Sequence, residues 1–266
     1  MKKSLLAVLF LVFIRIFSQD IPAQNQGLVK DPFFNNQNPQ EQSGKKVQHK
    51  HSDTFGVSPD KYDGNPVFSG NVVFEQQGSV LTANEVVWYQ KENFLKAIGN
   101  VVLTSADGSR ITAAEMEYDG NTQRGIARKN VVLTDPKQTI KTETLYYDKI
   151  PNTAYFNTGG TIYSNDGSVM YTKSATYNLN SKMIDFVGRS NIETDKYTIV
   201  SDNIKQNQNT GVSDFFGPTT IRDKKNPINY VYIEQGSYNS KTGESFLNKN
   251  SRIHNNGKIL TGDKLY

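Results

Sequence analysis

Gly70-Asn71-Val72-Val73-Phe74 recurs as Gly99-Asn100-Val101-Val102-Leu103, and again as Lys129-Asn130-Val131-Val132-Leu133. Weaker copies follow at Gly159-Gly160-Thr161-Ile162-Tyr163, at residues 188–192 and at residues 217–221. The steps between their starts are 29, 30, 30, 29 and 29 residues. A period held this closely marks an internal repeat, one supersecondary unit per copy.

A second motif follows each copy about fifteen residues later. It reads Leu81-Thr82-Ala83-Asn84-Glu85-Val86-Val87-Trp88-Tyr89, then Ile111-Thr112-Ala113-Ala114-Glu115-Met116-Glu117-Tyr118. Residues 140–147, 170–177, 231–238 and 259–266 keep an apolar start and a closing Tyr, whereas residues 199–206 end in Gln206. Turn formers separate the motifs, among them Gln77-Gly78, Asp107-Gly108, Asp119-Gly120, Asp135-Pro136 and Asn256-Gly257. Gly and Asn accept positive φ and Pro presets a turn, so the chain reverses there. Val, Ile, Thr and Tyr between the reversals predict strands of roughly ten residues. No stretch keeps a 3.6-residue apolar period, so helix is disfavoured.

Strand side chains alternate between faces, so the second and fourth residues after the leading position share a face. The fourth is Phe74, Leu103, Leu133, Tyr163, Ile192 and Ile221, apolar in every copy. The second is Val72, Val101, Val131, Thr161, Ser190 and Thr219, fading from apolar to hydroxyl along the chain. Such a column is either the core between two sheets or, where the sheets splay, a groove for acyl chains. Val72, Phe74, Val101, Leu103, Val131, Leu133, Tyr163, Ile192 and Ile221 are the candidate groove residues.

The composition narrows the function. The chain has 266 residues, 36% hydrophobic and 21% charged, a low apolar fraction that suits a thin stack of repeats. The formal charge of +4 includes Lys2, Lys3 and Arg15 near the N-terminus; without them 27 basic residues face 26 acidic ones. A near-neutral chain attracts nucleic acid weakly, and none is expected as a partner. The absence of cysteine excludes disulfides and thiolate chemistry. Three histidines, His49, His51 and His254, give no basis for a histidine active site. Glu85, Glu115 and Glu143 recur at related positions, but a ladder that repeats with the fold reads as a solvated face rather than as one catalytic pair. We expect no catalytic residue, metal or cofactor.

Lys2-Lys3, an apolar run of ten residues over 5–14 and Ser18 before Gln19 read as a secretory signal at residues 1–18. That run is shorter than the roughly 20 residues a membrane span needs. Residues 19–46, rich in Gln, Asn and Pro, read as a flexible linker in which Phe33-Phe34 is an isolated aromatic pair. The β domain is expected over residues 47–266. It stops within a second motif, at Asp263-Lys264-Leu265-Tyr266, which suggests either a fragment or an edge that a partner continues by strand addition.

Phe68-Ser69-Gly70-Asn71-Val72-Val73-Phe74, the run Tyr118-Asp119-Gly120-Asn121-Thr122 leading to residues 127–133, and Thr142-Glu143-Thr144-Leu145-Tyr146-Tyr147-Asp148 together resemble the OstA-like family, most closely the type found in the Bacteroidota. The resemblance spans about residues 47–266. It implies an all-β, repetitive antiparallel β-jelly-roll folded like a taco. It also implies a periplasmic, non-enzymatic role in moving lipopolysaccharide to the outer membrane, as a bridge or as the periplasmic part of a translocon. The implied partners are lipopolysaccharide through its lipid A acyl chains, other lipopolysaccharide-transport proteins paired along edge strands, and further copies joined head to tail. A competing function is a surface β-repeat protein for adhesion or polysaccharide contact, supported by the closing tyrosines if their rings are exposed.

Overall fold

The structure is a computed structural model that describes residues 28–35, 46–57, 59–60 and 62–265. The expected signal peptide lies outside the described residues, as do most of residues 19–46.

The chain forms β1 (Gln48–His51), β2 (Thr54–Val57), β3 (Pro66–Gln76), β4 (Ser79–Tyr89), β5 (Phe94–Thr104), β6 (Arg110–Asp119), β7 (Arg124–Thr134) and β8 (Gln138–Asp148). There follow β9 (Thr153–Phe156), β10 (Gly160–Ser164), β11 (Val169–Asn178), β12 (Met183–Glu193), β13 (Tyr197–Asn207), β14 (Val212–Asp223), β15 (Tyr230–Asn239), β16 (Ser245–Asn255) and β17 (Lys258–Leu265). Neighbours in sequence are antiparallel neighbours in space from β3 to β8 and from β11 to β17. β9 and β10 act as one interrupted strand between β8 and β11, and β1 and β2 as another beside β3. Most full strands are 10 or 11 residues long, as the turn spacing predicts.

The leading Gly-Asn of the repeat lies in mid-strand. Between β3 and β4 the register slips from Ser69↔Glu85 to Val72↔Ala83, so Gly70-Asn71 is a bulge. The slip recurs at Ile98/Val101 and Arg128/Val131. Gly70 (φ 76) and Asn71 (φ 46) are left-handed, as bulges demand. A Cβ on Gly70 would lie 2.3 Å from the Asp53 carboxylate, which fixes glycine there. Lys129 holds the same conformation (φ 67), at a cost of about 1 kcal/mol.

Each bulge bends its strand, and the bends align into a crease. The sheet thereby divides into a first arm, with Phe68, Val86, Ala97, Met116, Leu145 and Phe186, and a second arm, with Phe74, Leu81, Leu103, Leu133 and Ile162. All of these side chains belong to one buried cluster, so the arms face each other.

One segment of the expected linker departs from that expectation. Residues 28–35, with a 3-10 turn at Pro32–Asn35, pack on the outer face of the first arm. Phe34 is 1% exposed and meets Phe94 edge-on at 5.2 Å, and Phe33 meets Tyr146 at 5.2 Å. Lys30 Nζ lies 2.6 Å from Asp119 Oδ2, and Arg128 reaches Asp31 at 3.1 Å and Glu117 at 3.0 Å. The alternation of the first arm leaves Val87, Tyr89, Phe94 and Ile126 on its outer side, and the aromatic pair covers them. Among the described residues no helix is long and apolar enough to cross a membrane.

Candidate functional site

The inward column of the second arm runs from Phe74 and Leu81 through Leu103, Ile111, Leu133 and Ile140 to Ile162 and Met170. Each of these residues is 3% exposed or less. Val72, Val101 and Val131, nearer the crease, are equally buried. Between Phe74, Leu81 and Leu103 of one arm and Leu95 and Tyr118 of the other, about 10 Å³ of space remains. That is at most one water and no acyl chain. The first three repeats are therefore a packed core in this conformation.

One of the nine candidate positions is placed differently from the repeat alignment. Tyr163 is 40% exposed on the outer face, while Ile162 is fully buried and pairs with Ile140 as Leu133 does. Thr161 turns outward with it, and Gly160, opposite Thr142, takes the place of Val131. The structural unit thus starts one residue earlier, at Thr158, because the strand is interrupted between β9 and β10. The spacing of glycines alone could not reveal the slip, whereas the alternation of Ile162 and Tyr163 carries it.

Beyond Met170 the column changes. Ile192 is 7% exposed, Ile199, Ile221, Val231 and Ile253 are only partly buried, and Leu260 is 54% exposed. Nearer the crease the residues become polar: Ser190 Oγ donates to Thr172 Oγ1 at 2.9 Å, and Ser201 and Thr219 share a bond of 2.7 Å. These hydroxyls satisfy one another, which is what burial demands of them.

Hydrogen bonds lace the free edges of the two arms together over part of their length. Tyr118 Oη donates to Gln76 Oε1 at 2.6 Å, Gln76 Nε2 donates to the Gly120 carbonyl at 2.7 Å, and Lys149 Nζ to the Gln76 carbonyl at 3.1 Å. Tyr147 Oη shares a hydrogen bond of 3.2 Å with Ser105, and Asn152 donates to Asp107 at 3.0 Å. Tyr177 Oη donates to Asp135 Oδ2, joined by Lys182 Nζ at 2.8 Å. Last comes Gln208 Nε2 to Gln138 Oε1 at 2.7 Å. Among the described residues no further hydrogen bond joins the arm edges beyond Gln208. The closing tyrosines, which would favour sugar contact if exposed, are at Tyr118, Tyr147 and Tyr177 at most 4% exposed and point inward.

Burial pushes the hydroxyls of Tyr118, Tyr147 and Tyr177 above the usual phenol value, so they remain neutral donors. Burial would also raise the Asp135 carboxyl. The hydrogen bonds from Lys182, Tyr177 and the Lys137 N–H outweigh it and hold the carboxyl below its ordinary value. Glu115 is ion-paired to Lys129 at 2.6 Å, Glu85 lies near Ser69 at 3.5 Å on the same outer face, and Glu143 is exposed. These carboxylates do not meet inside the fold. Among the described residues no group of three or more His, Asp or Glu side chains could hold a metal. A hollow of about 620 Å³ on the outer surface of β15–β17 is lined by Tyr230, Tyr232, Glu234, Arg252 and Asp263 and is polar.

A model of OstA-like proteins matches residues 44–202, more than half of the chain. The chain belongs to the OstA-like family. In this OstA-like protein the matched region covers the laced part of the fold and the start of the unlaced part. No curated protein matches the chain. Solved structures with some likeness include LptH from Pseudomonas aeruginosa, described as the LptA homologous periplasmic component of the conserved lipopolysaccharide transport device. It is 14% identical, the match covers 38% of this chain and 76% of that one, and the TM-score is 0.35. Another is a mutant of the TCP10 domain of Danio rerio CPAP, 12% identical, covering 68% of this chain and 98% of that one, with a TM-score of 0.19. At such scores neither likeness carries an argument about fold or function.

Proposed function

We propose that this OstA-like protein is a periplasmic, non-enzymatic lipid carrier that holds lipopolysaccharide by its acyl chains and contributes to a transport bridge to the outer membrane. The observation that carries it is the inner apolar column, which emerges from a sealed core into a solvent-accessible strip at Ile199, Ile221, Val231 and Ile253. An apolar strip between two facing sheet arms suits hydrocarbon tails and leaves a polar headgroup in water. Val72, Phe74, Val101, Leu103, Val131 and Leu133 continue the same column and would line the path only with the arms parted.

The partners follow from the edges. β17 pairs with β16 and, among the described residues, with no other strand. Its second edge offers backbone donors and acceptors to another lipopolysaccharide-transport domain or to a further copy, joined head to tail. At the other end of the stack the short strands β1 and β2 and the bend between them carry Lys50, His51 and Asp53, which discourage indiscriminate pairing.

Purification of the full chain from cell envelopes, followed by lipid mass spectrometry, tests this function. Lipid A species should co-purify with it in preference to bulk phospholipid. A preparation free of lipid A, or one with lipid in the proportions of the bulk membrane, would overturn the proposal.

A further inference from the structure

The free edge of the second arm reverses its charge where the inner column becomes partly exposed. We propose that the last three turns of this edge form a rim that binds the phosphate groups of an amphiphile whose tails lie on the inner strip, through Lys196, Lys225 and Lys258. This rests on the lipid-carrying function proposed above and adds where the anionic headgroup sits and which residues hold it.

The charge pattern is the first support. The first four turns of this edge are residues 77–78, 105–109, 135–137 and 165–168, and they carry Asp107, Asp135 and Asp166 against Lys137. They border the column from Phe74 to Met170, which is sealed. The turns at 194–196 and 224–229 carry Lys196, Lys224 and Lys225 against Asp195, and Lys258 opens β17 directly after the turn at 256–257. These border Ile199, Ile221, Val231 and Ile253, which are partly exposed.

The local counter-charges are the second. Glu193 is taken by Lys224, whose Nζ lies 2.7 Å from Glu193 Oε2 and also donates to the Thr194 carbonyl at 2.7 Å. Asp223 Oδ1 accepts the N–H groups of Lys225 and Asn226 at 2.7 and 3.1 Å, which commits it to shaping its turn. Lys196, Lys225 and Lys258 are exposed, and among the described residues none of the three makes an ion pair. Lysine in this state is a point-charge binder of phosphate.

Geometry is the third. The Lys224 N–H donates to the Lys196 carbonyl at 2.9 Å, and the Asn256 N–H donates to Asn229 Oδ1 at 2.8 Å, so the three turns form one continuous rim. Successive turns stand two strands apart, about 10 Å, which spaces the lysines for separate anionic groups. Lys196 precedes Ile199 by three residues, about 10 Å of strand, so a headgroup at the rim leaves its tails on the strip. Ile228 in the middle turn and Leu260 at the start of β17 are exposed and extend apolar surface to the rim. A free anion gains nothing from such surface, whereas an amphiphile does.

Binding titrations of the full chain with two lipids test the rim: purified lipid A with its phosphates, and the same lipid A with them removed. Lys196→Gln/Lys225→Gln/Lys258→Gln should bind the phosphorylated lipid roughly tenfold more weakly than wild type, the combined worth of three exposed ion pairs. It should bind the dephosphorylated lipid as wild type does. Lys91→Gln/Lys137→Gln/Lys173→Gln loses the same charge elsewhere on the surface and should bind both lipids normally. Inorganic phosphate should compete no better than sodium chloride of equal ionic strength. If the rim variant discriminates between the lipids as wild type does, or the control variant weakens equally, the rim is refuted and the carrier function stands. If inorganic phosphate displaces the phosphorylated lipid more than chloride does, the lysines form a free-anion site and the headgroup assignment is overturned. If wild type binds neither lipid, the carrier function itself fails, and the rim with it.

Discussion

The hydroxyl of Tyr118 donates to Gln76 across 42 residues of sequence, joining the free edge of one arm to the free edge of the other. The same separation of 42 residues joins Tyr147 to Ser105 and Tyr177 to Asp135. A repeat of this kind places each of these closing tyrosines opposite the strand end of an earlier copy, so one sequence motif supplies three successive links of the seam. The tyrosine links end where the next copy carries Gln206 in place of tyrosine, and one amide link, Gln208 to Gln138, follows.

Removing one lacing hydroxyl should loosen the seam without emptying the core. Tyr118→Phe and Tyr147→Phe should each lower stability by about 0.5–1.5 kcal/mol, the net worth of a neutral hydrogen bond. Urea unfolding midpoints check this. A loss as large as that of a core truncation would show that the rings rather than the hydroxyls hold the seam.

The Asp135 link should give a defined pH dependence. Its folded-state carboxyl lies below the ordinary value, so its stabilisation is fully present above the unfolded carboxyl pKa, near 3.9. It fades as pH falls through the folded value. Asp135→Asn should therefore be less stable than wild type by about 2–4 kcal/mol near neutral pH. The gap should hold down to about pH 5 and shrink below about pH 4. Denaturant titrations of both proteins at several pH values measure it, and a gap that widens on acidification would contradict the assignment.

The register at β10 makes a paired prediction. Ile162→Ala should cost about 2–5 kcal/mol as a buried truncation. Tyr163→Ala, on the outer face, should cost about 0.5 kcal/mol or a little more. Thermal melts of the two variants decide between this register and one that turns Tyr163 inward.

Residues 28–35 should act as a clasp on β4–β8. Phe34→Ala should cost about 3–5 kcal/mol, as expected for a buried aromatic. Lys30→Glu should cost less and should be offset in part by Asp119→Lys, because the pair is only partly shielded. Hydrogen exchange around Phe94 and Ile126 should quicken in Phe34→Ala. Unchanged exchange there would show that the segment does not stabilise this face.

Much of the architecture was legible in residues 70–133, because the bulge glycines, the alternating valines and the turn formers each impose a local geometry. The role of Gly70-Asn71 was harder to read, since positive φ serves a turn and a bulge equally well and only the pairing partner distinguishes them. Phe33-Phe34 looked isolated because its partners Phe94 and Tyr146 come from distant strands. The lacing was hidden for the same reason: Gln76, Ser105 and Asp135 share no residue type, only a position. The apolar column was visible, but its partial exposure from Ile199 onward depends on what packs opposite each strand, and no periodicity reports that.

The most direct test of the central claim is photo-crosslinking in cells from residue 221, in the partly exposed inner strip, compared with residue 171 on the outer face, where Tyr171 is 48% exposed. The inner position should capture lipopolysaccharide strongly and the outer one weakly, in proteins of equal abundance and fold. Equal capture at the two positions, or capture at residue 171 alone, would contradict transport through the interior of the fold.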